Sequence, residues 1–329
     1  MAWTRADMAT LIEGFAEDYA NLEHEFQKAV VGQAEAVRMT LAALILGGHV
    51  LVEGLPGTGK THIGESLADI LAVSSSRIQG TPDLMPTDII GTYVIMETAQ
   101  GRRAFEFQKG PLFANIVLVD QINRTTPRTQ AALLEAMEQD AISVSTESFV
   151  LPKPFMVFAT QNPLEQEGTY PLPETQIDRF LFHVRTQMPS FEEMQTILQY
   201  STGSQLPVLK RVVDAAKLVK MREIVRNVAI SDDLCRWAAT LVQTSQPNDA
   251  KAPKLVKDYL RYGIGPRGVQ ALVLGGKFFA AIQHRLDVTM DDLLSAAPAA
   301  LRHRLFLNFN GEAEGVSRDE IVAQIVRKA

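Results

Sequence analysis

The chain has 329 residues, of which 46% are hydrophobic and 21% charged, with 38 acidic against 32 basic side chains and one cysteine. This length predicts roughly two domains of about 150 residues, and the near-average composition excludes collagen-like, disordered and disulfide-stapled chains. The formal charge of −6 argues against a protein that coats nucleic acid or anionic membrane. No apolar run reaches the roughly 18 residues of a membrane span, so we expect a soluble, cytoplasmic protein.

The first half of the chain alternates between helical and strand patterns. Four short apolar runs predict buried strands, at residues 49–53, 116–119, 155–159 and 180–184. Helical patterns precede and separate them, at residues 4–30, 33–46, 61–71 and 128–139. This alternation predicts an α/β fold with a parallel sheet that helices cover on both faces.

The pattern of the second half predicts helices almost throughout, at residues 191–201, 210–225, 231–244, 266–284 and 289–303. We therefore predict an α/β domain over residues 1–189 and a smaller all-α domain over residues 190–329. Cys235 falls in a helical stretch and is expected to be buried. The basic cluster Arg302-His303-Arg304 is expected to be a solvated helix end, with an interaction patch as the alternative.

Two segments do not fit a plain α/β sheet. Residues from about 80 to 112 combine turn residues with short β-type runs. Residues from about 141 to 154 contain two β-type runs that flank Thr146-Glu147-Ser148, as in a hairpin. Both segments are interpreted as insertions on the α/β domain.

A glycine-rich segment lies between the first predicted strand and a helix. It matches the pattern G-x-x-x-x-G-K-[ST] and reads Gly54-Leu55-Pro56-Gly57-Thr58-Gly59-Lys60-Thr61. In such a loop the backbone N–H groups turn toward a phosphate, and the following helix adds its positive N-terminal dipole. Lys60 can reach the β- and γ-phosphates, and the Thr61 hydroxyl can bind Mg²⁺. The segment therefore predicts a nucleotide phosphate site.

The second predicted strand ends in a carboxylate, Asp120, which is expected at the ligand-binding edge of the sheet as a Mg²⁺ partner. A buried structural aspartate is the alternative. Gln121 follows, where an NTPase of this kind is expected to carry a glutamate that polarises the attacking water. A glutamine can hydrogen-bond that water but cannot accept its proton. We therefore expect Mg²⁺-ATP to bind well and to be hydrolysed slowly.

Along nearly its whole length the sequence resembles the MoxR branch of the AAA+ ATPases. The segments that carry the resemblance are Val31-Gly32-Gln33, the Walker A loop at 54–61, Arg77-Ile78-Gln79, Thr81-Pro82-Asp83-Leu84, Phe107-Gln108-Lys109-Gly110-Pro111-Leu112-Phe113, Ile122-Asn123-Arg124, Ala159-Thr160-Gln161-Asn162-Pro163, Glu174-Thr175-Gln176-Ile177-Asp178-Arg179-Phe180 and Gly265-Pro266-Arg267-Gly268. Walker motifs alone are widespread, whereas this combination in this order is specific. The resemblance implies a P-loop core with an all-α lid.

The resemblance also implies roles for further residues. Gly32 and Gln33 belong to the nucleotide-binding set. Asn162 matches the sensor 1 position, where its amide would hold the γ-phosphate or the lytic water, with an asparagine in a surface turn as the alternative. Arg179 matches the arginine finger and would complete a neighbouring subunit's site, with a local salt bridge as the alternative. Arg267 matches sensor 2 and is expected to reach across the domains to the γ-phosphate, with a surface arginine at a helix start as the alternative.

A family member of this kind is expected to form a hexameric ring and to bind ATP or ADP with Mg²⁺. The two insertions would then be the helix-2 insert and the pre-sensor-1 hairpin of the family. The resemblance implies a partner protein with a von Willebrand factor A domain and a chaperone-like action on a protein client. Gln121 departs from the family pattern. An introduced, hydrolysis-blocking substitution is favoured because every other motif residue is intact, and a naturally slow ring is the alternative.

The sequence is compatible with three functions. The first is an ATPase that remodels a protein partner, and the second is a non-hydrolysing scaffold that ATP binding alone assembles. The third is a nucleic-acid motor, which the acidic balance and the lack of interleaved basic and aromatic runs disfavour.

Overall fold

The structure is a computed structural model of the chain and describes residues 3–97, 103–144, 147–165, 167–203 and 207–328. The helices in these ranges are α1 (Arg5–Gln27), α2 (Ala34–Leu46), α3 (Lys60–Asp69), α4 (Pro86–Ile90), α5 (Pro127–Gln139), α6 (Glu174–Ile177), α7 (Phe191–Ser201), α8 (Ala215–Arg226), α9 (Asp232–Thr244), α10 (Lys254–Tyr259), α11 (Pro266–Ile282), α12 (Met290–Leu301), α13 (Phe309–Ala313) and α14 (Arg318–Lys328). The strands are β1 (Val50–Glu53), β2 (Leu71–Ala72), β3 (Ser75–Gln79), β4 (Gly91–Glu97), β5 (Arg103–Lys109), β6 (Ile116–Asp120), β7 (Ala141–Val144), β8 (Glu147–Val150), β9 (Met156–Gln161), β10 (Phe182–Arg185), β11 (Val213–Asp214), β12 (Leu260–Tyr262) and β13 (Phe306–Leu307).

The central sheet has five strands in the order β10-β1-β9-β6-β3, and every neighbouring pair is parallel. The predicted α/β fold with a parallel sheet is thus confirmed. The inner strands are apolar on both faces because helices cover both sides of the sheet. In β1, Val50 and Val52 pack into one hydrophobic cluster and Leu51 into the other, as the alternation of side chains along a strand requires.

Strand β3 was absent from the predicted elements. It is the outermost strand of the sheet and pairs with β6, and Ile78 is its one buried residue. An edge strand of this kind carries few apolar residues, so it leaves no apolar run in the sequence. All five carboxyl ends lie at one edge of the sheet, here called the carboxyl edge, and the opposite side is called the amino edge.

The helices after β10 form an α-helical region that packs against α1 and α2. The ring centroids of Tyr19 in α1 and Phe278 in α11 are 5.3 Å apart. One hydrophobic cluster runs through both parts of the chain, and the division into residues 1–189 and 190–329 stays a prediction. Helices α10 and α14 and the β12–β13 pair are additional to the predicted elements. No helix in the described ranges is long and apolar enough to cross a membrane.

Two expectations about burial were wrong, one for a cysteine and one for a basic cluster. Cys235 is exposed, because α9 packs through the side that carries Ala238 and Leu241. The cluster Arg302–Arg304 is buried rather than solvated, since it forms a 3₁₀ turn that packs against the sheet. Arg304 is 3% exposed, and its Nε atom is 2.7 Å from Oδ1 of Asp178.

The two segments interpreted as insertions form antiparallel hairpins, β4–β5 and β7–β8. The hairpins pack on each other. The rings of Phe107 and Phe149 stack at a centroid distance of 4.5 Å, and the Tyr93 hydroxyl lies 2.8 Å from a carboxylate oxygen of Glu147. Three apolar side chains of β4–β5 are exposed: Ile95, Met96 and Phe105.

Candidate nucleotide site

The glycine-rich loop connects β1 to α3 at the carboxyl edge of the sheet. Gly57 and Gly59 have φ angles of 79° and 82°, which side chains rarely tolerate, so glycine is needed at both turns. Helix α3 begins at Lys60, directly after Gly59. The free N–H groups and the dipole of this helix end favour an anion such as a phosphate.

Lys60 is held over the loop by the loop's own backbone. Its Nζ atom donates to the carbonyl oxygens of Gly54 and Leu55, each at 2.7 Å. Burial lowers the pKa of Lys60, while Asp120 and Glu165 oppose that shift. The ammonium group thus lies where it can meet a phosphate bound in the loop.

Asp120 lies beside the loop because β6 ends at this residue. The Thr61 hydroxyl is 3.2 Å from Oδ1 and 3.1 Å from Oδ2 of Asp120, and the Thr160 hydroxyl is 2.6 Å from Oδ1. Nη2 of Arg77, on β3, is 3.3 Å from Oδ2. A carboxylate next to a hydroxyl supplies hard oxygen ligands of the kind Mg²⁺ prefers. Thr160 and Arg77 were not among the predicted site residues, although both lie in segments that carry the resemblance.

Gln121 has left-handed backbone geometry, with φ 54°, and a 3₁₀ turn follows it. Its backbone N–H donates to the Thr160 hydroxyl at 2.9 Å. Its side-chain oxygen accepts from Arg124 at 3.3 Å and from Gln79 at 3.5 Å. A guanidinium beside this oxygen would also balance a carboxylate, so the surroundings of residue 121 accommodate glutamate as well as glutamine.

Asn162 follows β9 at the same edge and is 5% exposed. Its side-chain amide donates to Glu165 at 3.0 Å, and its side-chain oxygen accepts from the backbone N–H of Leu164 at 3.1 Å. The parallel sheet therefore brings Lys60, Thr61, Asp120 and Asn162 to one edge, as the sequence predicts.

A cavity of about 760 Å³ opens beside the loop. Its walls include loop residues 57–59, Gln33, and Tyr200 of α7. The size fits a small-molecule ligand such as a nucleotide. The side-chain oxygen of Gln33 also accepts the backbone N–H of Gln187 at 3.2 Å, which joins the cavity wall to the segment after β10. Gly32, just before it, has a φ angle of 71°.

Arg179 and Arg267 lie at the amino edge instead. Arg179 precedes β10, and its Nη2 atom is 2.7 Å from Glu138 at the end of α5. Arg267, at the start of α11, is 3.1 Å from Glu138 and 3.8 Å from Asp178. The four residues of β1 span about 13 Å between this edge and the phosphate loop. Arg267 therefore lies away from the phosphate loop of its own chain, because α11 begins beside the amino end of β10, and its role at a γ-phosphate stays a prediction.

A parallel sheet with a glycine-rich phosphate loop after β1 and a carboxylate after β6 defines a P-loop nucleotide-binding protein. Residues 49–182 match the model of the ATPase family associated with various cellular activities (AAA), and residues 252–325 match the AAA lid domain. The chain is 36% identical to the chaperone MoxR1 of Mycobacterium tuberculosis, over 96% of this chain and 83% of that protein. It is 38% identical to YeaC of Bacillus subtilis, over 93% of this chain and 92% of that protein.

A solved structure, a candidate ATPase from Cytophaga hutchinsonii, superposes with a TM-score of 0.89 at 33% identity. The superposition covers 97% of this chain and 96% of that one. The chain belongs to the MoxR family of AAA+ ATPases.

Proposed function

We propose that the protein binds Mg²⁺-ATP and uses it, as a ring-shaped oligomer, to remodel, mature or activate a protein partner. The observation that carries this proposal is the convergence of Lys60, Thr61, Asp120 and Asn162 at one edge of the sheet, beside the 760 Å³ cavity. The chaperone role comes from the relative MoxR1. A partner with a von Willebrand factor A domain is proposed on the family resemblance alone.

The Mg²⁺ ion would be held by the Thr61 hydroxyl and the Asp120 carboxylate. Their oxygens lie within 3.2 Å of each other, which is the donor chemistry that Mg²⁺ requires. When bound, the ion would supply charge neutralisation at the phosphates. Lys60 would hold the β- and γ-phosphates, and Asn162 would hold the γ-phosphate or the attacking water.

The arginines argue for a ring. Arg179 and Arg267 lie at the edge opposite their own phosphate loop, so within the proposed function they serve the nucleotide of an adjacent copy. A contact between unlike faces that closes on itself gives a ring, and the family resemblance implies six subunits. A guanidinium supplied in this way can accelerate hydrolysis by roughly 10³- to 10⁵-fold.

Gln121 sets the rate in this proposal. A glutamine in place of the expected glutamate aligns the attacking water but takes no proton from it, which impairs hydrolysis. This residue also supports the second candidate, a scaffold that ATP binding assembles without turnover. In both cases the two hairpins, with Ile95, Met96 and Phe105 exposed, would contact the client.

Comparison of the chain with its Gln121→Glu variant tests the proposal and separates the two candidates. We expect the variant to hydrolyse ATP roughly 10²-fold faster or more, in a Mg²⁺-dependent way, and both proteins to enlarge on size-exclusion chromatography with ATP. Lys60→Ala in the same background is the inactive control. Equal rates would contradict a limiting role of Gln121, and an unchanged particle size would contradict the ring.

Subunit mixing tests the trans arrangement. In the Gln121→Glu background, Lys60→Ala subunits lack a phosphate site and Arg179→Ala subunits lack the donated arginine. Mixing the two variants should restore ATPase activity, because an intact phosphate site then faces an intact Arg179. The control mixes Arg179→Ala with the double variant Lys60→Ala/Arg179→Ala, and should stay inactive.

A further inference from the structure

Glu138, in the last turn of α5, lies between the two arginines of the amino edge. Its Oε2 atom is 2.7 Å from Nη2 of Arg179, and its Oε1 atom is 3.1 Å from Nη2 of Arg267. One carboxylate thus spans two guanidinium groups that come from segments 88 residues apart in sequence, with one oxygen for each. Glu138 lies outside all the motifs that carry the family resemblance.

Further contacts within the chain hold the two arginines and Glu138 in place. Nη1 of Arg179 donates to the carbonyl oxygen of Leu134 at 2.7 Å, one turn before Glu138 on the same helix. Asp178 binds the buried Arg304 at 2.7 Å and lies 3.8 Å from Arg267. Three guanidinium groups therefore face two carboxylates, and one positive charge remains in excess.

Removing Glu138 would leave three positive charges facing one negative charge. Two guanidinium groups that contact the same carboxylate are close enough to repel each other once that charge is removed, so Arg179 and Arg267 would separate. The arginine pair would then lose a common orientation, since Arg267 has no closer acidic partner than Glu138 among the described residues.

Glu138 leaves Arg267 open to a phosphate, whereas the Arg179 side chain is 26% exposed, with its Nε atom buried and both Nη atoms bonded within the chain. The side chains of Glu138 and Arg267 are 42% and 49% exposed. A guanidinium carries five N–H donors in a planar fork, so one edge can contact Glu138 while the other stays open to a ligand. An exposed ion pair contributes little to stability, which makes the orientation of the arginines its main effect.

We propose that Glu138 is a positioning residue that presents Arg179 and Arg267, as a pair, to the nucleotide of an adjacent copy. This inference rests on the proposed function, in which both arginines act on a neighbour. Helix α5 begins shortly after Asp120 and Gln121 and is about 20 Å long, so it joins each subunit's own site to the arginines that the subunit donates.

The experiment uses the full chain in the Gln121→Glu background and compares Glu138→Gln with Glu135→Gln. Glu135 lies one turn earlier on α5 and forms no ion pair within the described ranges, which makes it the matched control. For Glu138→Gln we expect kcat to fall about tenfold, since a misplacement of about 1 Å can cost up to about 10²-fold and Arg179 keeps its bond to Leu134. Binding of a fluorescent, non-hydrolysable ATP analogue should change less than about twofold, because Glu138 is remote from the phosphate loop.

A second variant, Glu138→Asp, keeps the proposal open to contradiction if Glu138→Gln folds poorly, and a double variant tests the coupling to Arg267 if it folds well. Glu138→Asp retains the charge but is too short to span both guanidinium groups, and should give an intermediate kcat. Adding Arg267→Ala to Glu138→Gln should reduce kcat by less than the product of the separate effects, because both changes act through Arg267.

An unchanged kcat in Glu138→Gln, fully multiplicative effects with Arg267→Ala, or a parallel loss of analogue binding would each overturn the positioning role. The proposed function fails in a different way. In that case the Gln121→Glu parent itself would show no dependence on Arg179 in the mixing experiment.

Discussion

The hydroxyl of Thr58 in the phosphate loop and the hydroxyl of Thr186, just after β10, are 2.7 Å apart. Each hydroxyl also faces a backbone carbonyl oxygen, Thr58 that of Leu55 at 2.8 Å and Thr186 that of Glu53 at 3.4 Å, and the shorter contact favours Thr186 as the donor between the two hydroxyls. Thr186 packs closely against the phosphate loop, since a Cβ atom on Gly54 would lie 1.9 Å from the Thr186 hydroxyl oxygen. The phosphate loop is thereby fastened to the segment that leads into α7.

Replacement of Thr186 by valine should loosen this attachment. The variant keeps the shape but leaves Thr58 without its donor, which costs about 1 kcal/mol in a typical case. We expect the free energy of unfolding to fall by about that amount and the dissociation constant of ATP to rise about fivefold. Urea unfolding and nucleotide titration measure the two effects. Thr196→Val, which removes a hydroxyl that bonds within α7, should leave nucleotide affinity unchanged.

Arg304 joins the helical region to the sheet and should be important for stability. It pairs with Asp178, and its guanidinium donates to backbone carbonyls that include Phe180 at 2.9 Å. Removal of one partner from a buried ion pair costs about 3–5 kcal/mol, so Arg304→Ala should lower the free energy of unfolding by that amount. Arg236→Ala breaks the highly exposed pair with Asp233 and should change it by less than about 1 kcal/mol. Similar losses in both variants would contradict the importance of burial.

His49 should make stability depend on pH. Burial lowers the pKa of His49 from 6.5 to about 4. The neutral ring donates from Nε2 to the carbonyl oxygen of Met137 and accepts the backbone N–H of Val157 at Nδ1. Below pH 6.5 the unfolded chain takes up a proton that the folded chain takes up only near pH 4. The contribution of His49 to the free energy of unfolding is therefore fully present above pH 6.5. It falls by roughly 3 kcal/mol as the pH is lowered toward 4.

Urea unfolding at pH 7 and pH 4.5 measures this effect. His49→Gln should unfold with a smaller difference between the two pH values, because glutamine does not titrate. His183 and His303 are also buried and have lowered pKa values, so the variant should retain part of the dependence. A variant with the full dependence of the parent chain would rule out His49 as its source.

The phosphate site was predictable because its signals are local. A strand, a glycine-rich turn and a helix start follow one another within 54–61, and Asp120 and Asn162 each end or follow a buried strand. Parallel pairing then brings these carboxyl ends to one edge, whichever strands are neighbours. Strand β3 escaped prediction because an edge strand needs no apolar run, as its polar residues Ser75 and Ser76 illustrate.

The position of Arg267 and the burial of Arg304 were not predictable from local patterns. Both depend on how α11 and the turn after α12 dock on the amino edge, through Glu138 and Asp178. These contacts join segments that are more than 120 residues apart in sequence. Nothing in the local sequence of a helix start distinguishes an arginine that faces its own nucleotide from one that faces away.

The stacked pair Phe107 and Phe149 has a mechanical consequence. Hairpin β4–β5 leads into β6, which ends at Asp120, and hairpin β7–β8 leads into β9, which precedes Asn162. The two strands are already neighbours in the sheet, and the aromatic contact links them a second time, outside it. A displacement of β6 or β9 is therefore expected to move both hairpins together, as one unit rather than two independent ones.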